Sequence, residues 1–217
     1  LEKYAFSGKN MRIVKPSFHI EDEIDADLIL RKIEKAGRTC YMSEDKATPE
    51  SAPEFVRRVL KAGHESVIEH ISITVRIICD RGVSHEIVRH RVGSYSQEST
   101  RYCNYGKDGF NGEITVIAPC YWPEPSAERR IWRGAMEQAE KAYLSLLEQG
   151  ASPQMARSVL PSSLKTELVV TYNLREWRHF LTVRTSAASH PQMREIAIPL
   201  LKEFQRLIPV VFDDISC

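Results

Sequence analysis

Ile71-Ser72-Ile73-Thr74-Val75-Arg76-Ile77-Ile78-Cys79 decides how the chain is read, because apolar residues at 71, 73, 75, 77 and 79 alternate with Ser72, Thr74 and Arg76. Successive side chains of a strand point to opposite faces, so this pattern predicts a half-buried strand. After Asp80-Arg81-Gly82, Ser84 is placed to cap a short helix through about His90, and a polar segment follows as far as Tyr102. The strand thus delivers a short helix and then a loop.

Upstream, Leu28, Ile29, Ile33 and Ala36 recur at helical spacing from Asp25 to about Lys35, with Gly37 as a stop. A second helix is expected from about Pro53 to Ala62, ending at Gly63. Met11 opens MRIVKP, which reads as a first strand; residues 1–10 are taken as an appended extension or disordered N-terminus, and 11–217 as a single catalytic domain.

Downstream, 104–125 is expected to be a long loop around a strand at Ile114 to Ala118, and residues 126–149 carry the longest helical pattern, closed by Gly150. Ser152-Pro153 opens a short helix carrying Arg157, and Leu164 to Tyr172 reads as a second strand. Helices from Leu174 to about Arg184 and from Pro191 to about Leu207 complete the order, Pro209 ending the last. Trp177 and Phe180, spaced with Leu174 and Leu181, are core residues on this reading. Helices around a few strands that do not alternate regularly with them predict the α+β class, an antiparallel sheet flanked by helices.

The 217 residues are 42% hydrophobic and 27% charged, the composition of a globular protein and not of a disordered chain. Thirty Lys and Arg against 29 Asp and Glu leave a net charge of +1, which argues against bulk attraction to nucleic acid or anionic lipid. Cys40, Cys79, Cys103, Cys120 and Cys217 have no zinc-type spacing and suit reduced thiols. No apolar run approaches the roughly 18 residues of a membrane span, and the polar start lacks a signal stretch, so a cytoplasmic protein is expected.

From residue 76 onward there are 14 Arg and four Lys, a bias toward the side chain that grips phosphate or carboxylate with a planar fork. The densest stretch is Arg89-His90-Arg91-Val92-Gly93-Ser94-Tyr95-Ser96-Gln97-Glu98-Ser99-Thr100-Arg101-Tyr102. Three consecutive cationic or titratable side chains leave a helix about 100° apart, so they cannot all serve one solvated face. The hydroxyl, amide and backbone N–H groups that follow suit a phosphate and a polar base.

Arg-His-Arg, seven residues, Ser99 and then Thr-Arg-Tyr resemble the signature of the flavin-dependent thymidylate synthases. Glu34-Lys35-Ala36-Gly37-Arg38-Thr39-Cys40-Tyr41, Gly63-His64-Glu65-Ser66 with Glu69-His70, and Asn173-Leu174-Arg175-Glu176-Trp177 with Arg184 extend the likeness. The resemblance implies reductive methylation of dUMP to dTMP, with FAD as cofactor and NADPH and 5,10-methylenetetrahydrofolate as co-substrates. It implies a cytoplasmic homotetramer with shared active sites, and no nucleic-acid or membrane partner. It places Ser66, Arg89, His90, Arg91, Val92, Gln97, Asn173, Arg175 and His179 at FAD. It places Glu86, Arg89, Gln97, Glu98, Ser99, Thr100, Arg101, Arg157 and Arg184 at dUMP, with Arg184 the catalytic residue that favours ionisation of the uracil at N3.

Three positions depart from the family pattern: Ser96 stands where many members carry Asn, Glu86 where some carry Gln, and His179 where some carry Asn. Glu86 is expected to accept from a base or to pair with Arg89 or His90 on its own helix face. No metal is expected, since neither His64-Glu65 nor His85-Glu86 continues to a second His at the H-E-x-x-H position. Cys120, after Pro119, lacks the second Cys of a zinc deaminase and reads as a packed thiol. Ser99 has no adjacent base and is assigned to binding. There is no G-x-G-x-x-G and no Walker loop. The alternative from another class is an arginine-rich nucleic-acid-binding module in which Arg89, Arg91 and Arg101 contact successive phosphates.

Overall fold

The structure is a computed structural model that describes residues 11–217; the expectation for 1–10 lies outside the described residues. In chain order its principal elements are β1 (Arg12–Val14), β2 (Ser17–Ile20), α1 (Ala26–Thr39), α2 (Ala52–Lys61), β3 (Ser72–Asp80), α3 (Arg81–Ile87), β4 (Ser94–Gln97), β5 (Thr115–Ile117), α4 (Ala127–Glu148), α5 (Pro153–Ala156), β6 (Lys165–Asn173), α6 (Leu174–Thr185), α7 (Pro191–Leu207) and α8 (Pro209–Phe212).

The alternation that predicts β3 is realised: Ile73, Val75, Ile77 and Cys79 are buried while the residues between them are partly exposed. β6 does the same with Thr166, Leu168, Val170 and Tyr172. The two long strands lie at the centre of a four-stranded sheet in the order β2-β3-β6-β4. At one end the Leu174 N–H donates to the Ile71 carbonyl (2.9 Å), and at the other the Arg81 N–H donates to the Leu164 carbonyl (3.1 Å). As β3 advances β6 recedes, so they are antiparallel. The class is α+β, an antiparallel sheet flanked by helices.

Several boundaries differ from expectation, each for a local reason. α1 runs through Gly37, because that glycine lies against α2: a Cβ there would fall 2.7 Å from the Phe55 ring carbons. It is a close-approach residue and not a stop. α3 begins at Arg81, since the Asp80 carboxylate accepts from the Val83 N–H (2.8 Å), while the buried Ser84 hydroxyl bonds back to the Arg81 carbonyl (2.9 Å) and caps nothing. Arg89 and His90 follow α3 in tight turns, and the polar segment beyond holds β4. β1 pairs with β5 in a separate parallel ribbon, and β2 had no clear signature. Arg157 lies one residue beyond α5 and opens a single 3-10 turn.

Residues 11–16, 78–85 and 97–167 form one compact unit, whose core gathers Tyr105, Ile114, Val116, Trp132, Met136, Tyr143 and Leu164. Residues 17–77, 86–96 and 168–217 form another. Its aromatic spine runs from Tyr172 through Trp177 (4.6 Å between centroids) and Phe204 (5.3 Å) to Phe212 (4.9 Å). Trp177 and Phe180 are fully buried, as the helical spacing predicts, and the Trp177 indole N–H donates to the Ile73 carbonyl (2.9 Å). Cys120 is exposed and not a packed thiol. The buried thiol is Cys79, which burial pushes far above the ordinary range and so keeps protonated. Among the described residues no helix is long and apolar enough to cross a membrane.

Candidate active site

α6 builds one cluster of candidate residues. Asn173 caps it by accepting from the Glu176 N–H (2.9 Å), and Glu176, Phe180 and Arg184 then recur every four residues on one stripe. His90 packs edge-on against Phe180, with centroids 4.9 Å apart. From there its Nδ1 reaches Glu176 Oε1 (3.0 Å) and its Nε2 accepts from Arg184 Nε (3.0 Å). An N–H aimed at Nε2 fixes that nitrogen as the acceptor, so Nδ1 carries the proton and donates it to Glu176. Burial lowers the His90 pKa below the ordinary histidine value, and the Arg184 charge adds to this against the opposing pull of Glu176.

Arg184 is held on three sides. Besides His90, Glu86 Oε2 accepts from its Nη1 (2.8 Å) and the Glu86 carbonyl from its Nη2 (3.1 Å). Glu86 therefore pairs across to α6, not with Arg89 or His90 as expected. Each nitrogen of the guanidinium commits one hydrogen, and each terminal nitrogen keeps a second. The outcome is a planar cation fixed in orientation with two donors still to offer.

Of the Arg-His-Arg triplet, only His90 turns inward; Arg89, Arg91 and Val92 are exposed, and neither arginine has a carboxylate partner among the described residues. The stretch is pinned from behind: Tyr95 donates to the His90 carbonyl, the Tyr172 hydroxyl lies 2.8 Å from that of Tyr95, and a Cβ on Gly93 would fall 2.2 Å from Tyr172 Cδ1. His179 is exposed with its ring 5.5 Å from that of His90, and Ser66 is exposed. Arg175 is occupied by Glu69 (2.5 Å) and approached by Glu65 (3.6 Å). His90, Glu176 and His179 present ligand-type atoms within 4.8 Å of one another, a grouping that motif spacing did not reveal. Both His90 nitrogens are already engaged, one by a guanidinium that would repel a metal cation, so the geometry favours hydrogen bonding over coordination.

A second cluster, described by itself, lies around the loop after β4. Gln97 Nε2 donates to Ser84 Oγ (3.0 Å) and Thr166 Oγ1 (3.1 Å), which uses both amide hydrogens and orients the carbonyl oxygen as an acceptor. The Glu98 carboxylate is taken by the Tyr105 hydroxyl (2.9 Å) and Lys165 Nζ (2.7 Å). Ser99 Oγ accepts from the Arg101 N–H (3.3 Å), and the buried Thr100 hydroxyl accepts from Arg157 Nη1 (3.3 Å). Arg101 and Arg157 are both exposed, Arg101 stacked over the Tyr102 ring at 5.2 Å, and neither has a carboxylate partner among the described residues. Lys165, Tyr105, Ser84 and Thr166 were missed from sequence because they act by holding other side chains.

The family described as thymidylate synthase complementing protein matches residues 26–210. A flavin-dependent thymidylate synthase of Mycolicibacterium gilvum is 35% identical over 213 residues, covering 90% of this chain and 83% of the relative. The chain belongs to this family. Another flavin-dependent thymidylate synthase, from Geobacter sulfurreducens, is 33% identical over 186 residues, covering 82% of this chain and 78% of its own. Among solved structures, the UMP/dUMP methylase PolB from Streptomyces cacaoi, bound with 5-Br dUMP, has a TM-score of 0.76 at 27% identity, covering 94% of this chain and 96% of that one. Family membership makes the chain an enzyme, and it favours a small-molecule site over the nucleic-acid module.

Proposed function

We propose that the chain makes dTMP from dUMP by reductive methylation, serving dTMP biosynthesis, with 5,10-methylenetetrahydrofolate as carbon donor and NADPH as reductant through FAD. The observation that carries this reading is Arg184, a guanidinium held by His90 and Glu86 with two N–H donors left over. Aimed at the uracil, those donors stabilise negative charge growing at N3 and O2 and so raise the nucleophilicity of C5.

Arg157 and Arg101 take the nucleotide phosphate with Ser99 and Thr100, and the Gln97 carbonyl accepts from the base. Glu86 and Glu98 serve dUMP through the cations they hold, Arg184 and Lys165. Arg89 and Arg91, exposed and without a carboxylate partner among the described residues, suit the anionic part of FAD, with Ser66, His90, Val92, Gln97, Asn173, Arg175 and His179 completing its contacts. Arg175 exchanges Glu69 for the cofactor in this reading. FAD when bound supplies the redox chemistry. The chain's own work is to orient the pyrimidine, exclude water and stabilise charge. A cytoplasmic homotetramer with active sites shared among subunits belongs to the same reading.

The test is direct. Purified protein is expected to be yellow, and to form dTMP when given dUMP, methylenetetrahydrofolate and NADPH. Arg89→Ala is expected to lose FAD while keeping its circular dichroism; a variant that holds full flavin occupancy on dilution refutes the assignment of the triplet to the cofactor.

A further inference from the structure

We propose that Glu176 and His90 are a positioning pair for Arg184, in which Glu176 takes the Nδ1 proton of His90 and thereby presents Nε2 as the acceptor that fixes the guanidinium plane. The inference rests on the reading of Arg184 as the group that acts on the pyrimidine. The contacts are short and sheltered: the side chains of His90 and Glu176 are 6% and 11% exposed. A neutral imidazole in water exchanges between two tautomers, and a proton on Nε2 would point at Arg184 and break the contact. Glu176 removes that choice. Phe180, between Glu176 and Arg184 on the same stripe, supports the ring edge-on, and the Tyr95 bond to the His90 carbonyl holds its backbone.

The pair is sensitive to protonation. His90 is faced by Glu176, His179 and Arg184 from α6, by Tyr172 from β6 and by Tyr95 from β4, with Glu86 of α3 on the far side of Arg184. When His90 gains a second proton, Nε2 becomes a donor and the imidazolium confronts the guanidinium, so orientation is lost as pH falls. Burial and Arg184 set this event below the ordinary histidine value, while Glu176 holds it up.

The experiment measures kcat and KM for dUMP against pH at saturating FAD, with flavin occupancy read by absorbance. Wild type is expected to show an acid limb below the ordinary histidine value. In Glu176→Ala the plateau kcat falls on the order of tenfold with KM for dUMP little changed, and the acid limb moves to still lower pH. His90→Gln keeps an acceptor near Nε2 but cannot titrate: it should lose the acid limb and retain more activity than His90→Ala. An acid limb that persists in His90→Gln, or an unchanged kcat in Glu176→Ala, overturns the proposal. If Glu176→Ala does not fold, His90→Gln decides.

A separate readout keeps this inference apart from the reading it rests on. Long-range 1H–15N correlation on 15N-histidine protein, with His90→Gln identifying the resonance, should find the proton on Nδ1. A proton on Nε2 refutes the pair whatever the kinetics show. Full rescue of Arg184→Ala by excess dUMP with the Nδ1 tautomer intact instead refutes the role of Arg184 and leaves the contact standing.

Discussion

Arg184→Ala is expected to slow dTMP formation by on the order of tenfold to a hundredfold even at saturating dUMP, the scale of one charge-assisted hydrogen bond at about 1.5 to 3 kcal/mol. The loss should persist at saturation because, in the role proposed for Arg184, the charge it meets grows during the reaction and is small in bound dUMP. Arg157→Ala should differ: a phosphate keeps its charge throughout, so that loss raises KM and spares kcat. Rates measured across dUMP concentrations separate the two. Rescue of Arg184→Ala by excess dUMP would reduce its role to binding.

Trp177→Ala is expected to produce the largest loss of stability, about 3 to 5 kcal/mol for removing a large buried aromatic side chain. Trp177 is fully buried, touches the rings of Tyr172, Phe180 and Phe204, and donates to the Ile73 carbonyl. Its removal opens a cavity at the joint of the spine and leaves that carbonyl in β3 without its indole donor. Denaturant titration of the variant should show a clearly lowered midpoint; a shift worth under about 1 kcal/mol would mean that the site repacks freely.

β3 and β6 were legible because alternation is a local property, and α6 because its buried residues return every three or four positions. What misled were places where two local signals compete. Asp80 and Ser84 can both cap a helix, and only the strand leading into Asp80 settles which does. Gly37 has the residue type of a stop, yet its missing side chain is used sideways by Phe55.

The candidate site divides the same way. Arg184, Arg157 and the triplet are legible through the family resemblance, whereas Glu176 lies inside a resembling segment that implies no role for it. The role proposed for it depends on His90, 86 residues away in sequence, arriving beside it. Glu86 was matched to neighbours on its own helix, the rule that serves exposed helices, and the chain instead carries Arg184 to it from a distance. Partners set by tertiary packing leave no spacing to read.

The unequal shelter of the arginines has a consequence for how the medium reaches the enzyme. Arg184 is 17% exposed and locked to groups of its own chain, whereas Arg101 and Arg157 stand in solvent. At 0.15 M ionic strength counterions screen exposed charges beyond about 8 Å, and more salt tightens that cloud while barely entering a sheltered pair. Added potassium chloride should therefore weaken the grip on the nucleotide while the turnover of enzyme already loaded stays nearly constant. On the roles proposed for these arginines, substrate capture would follow the ionic climate of the cell and chemistry would not.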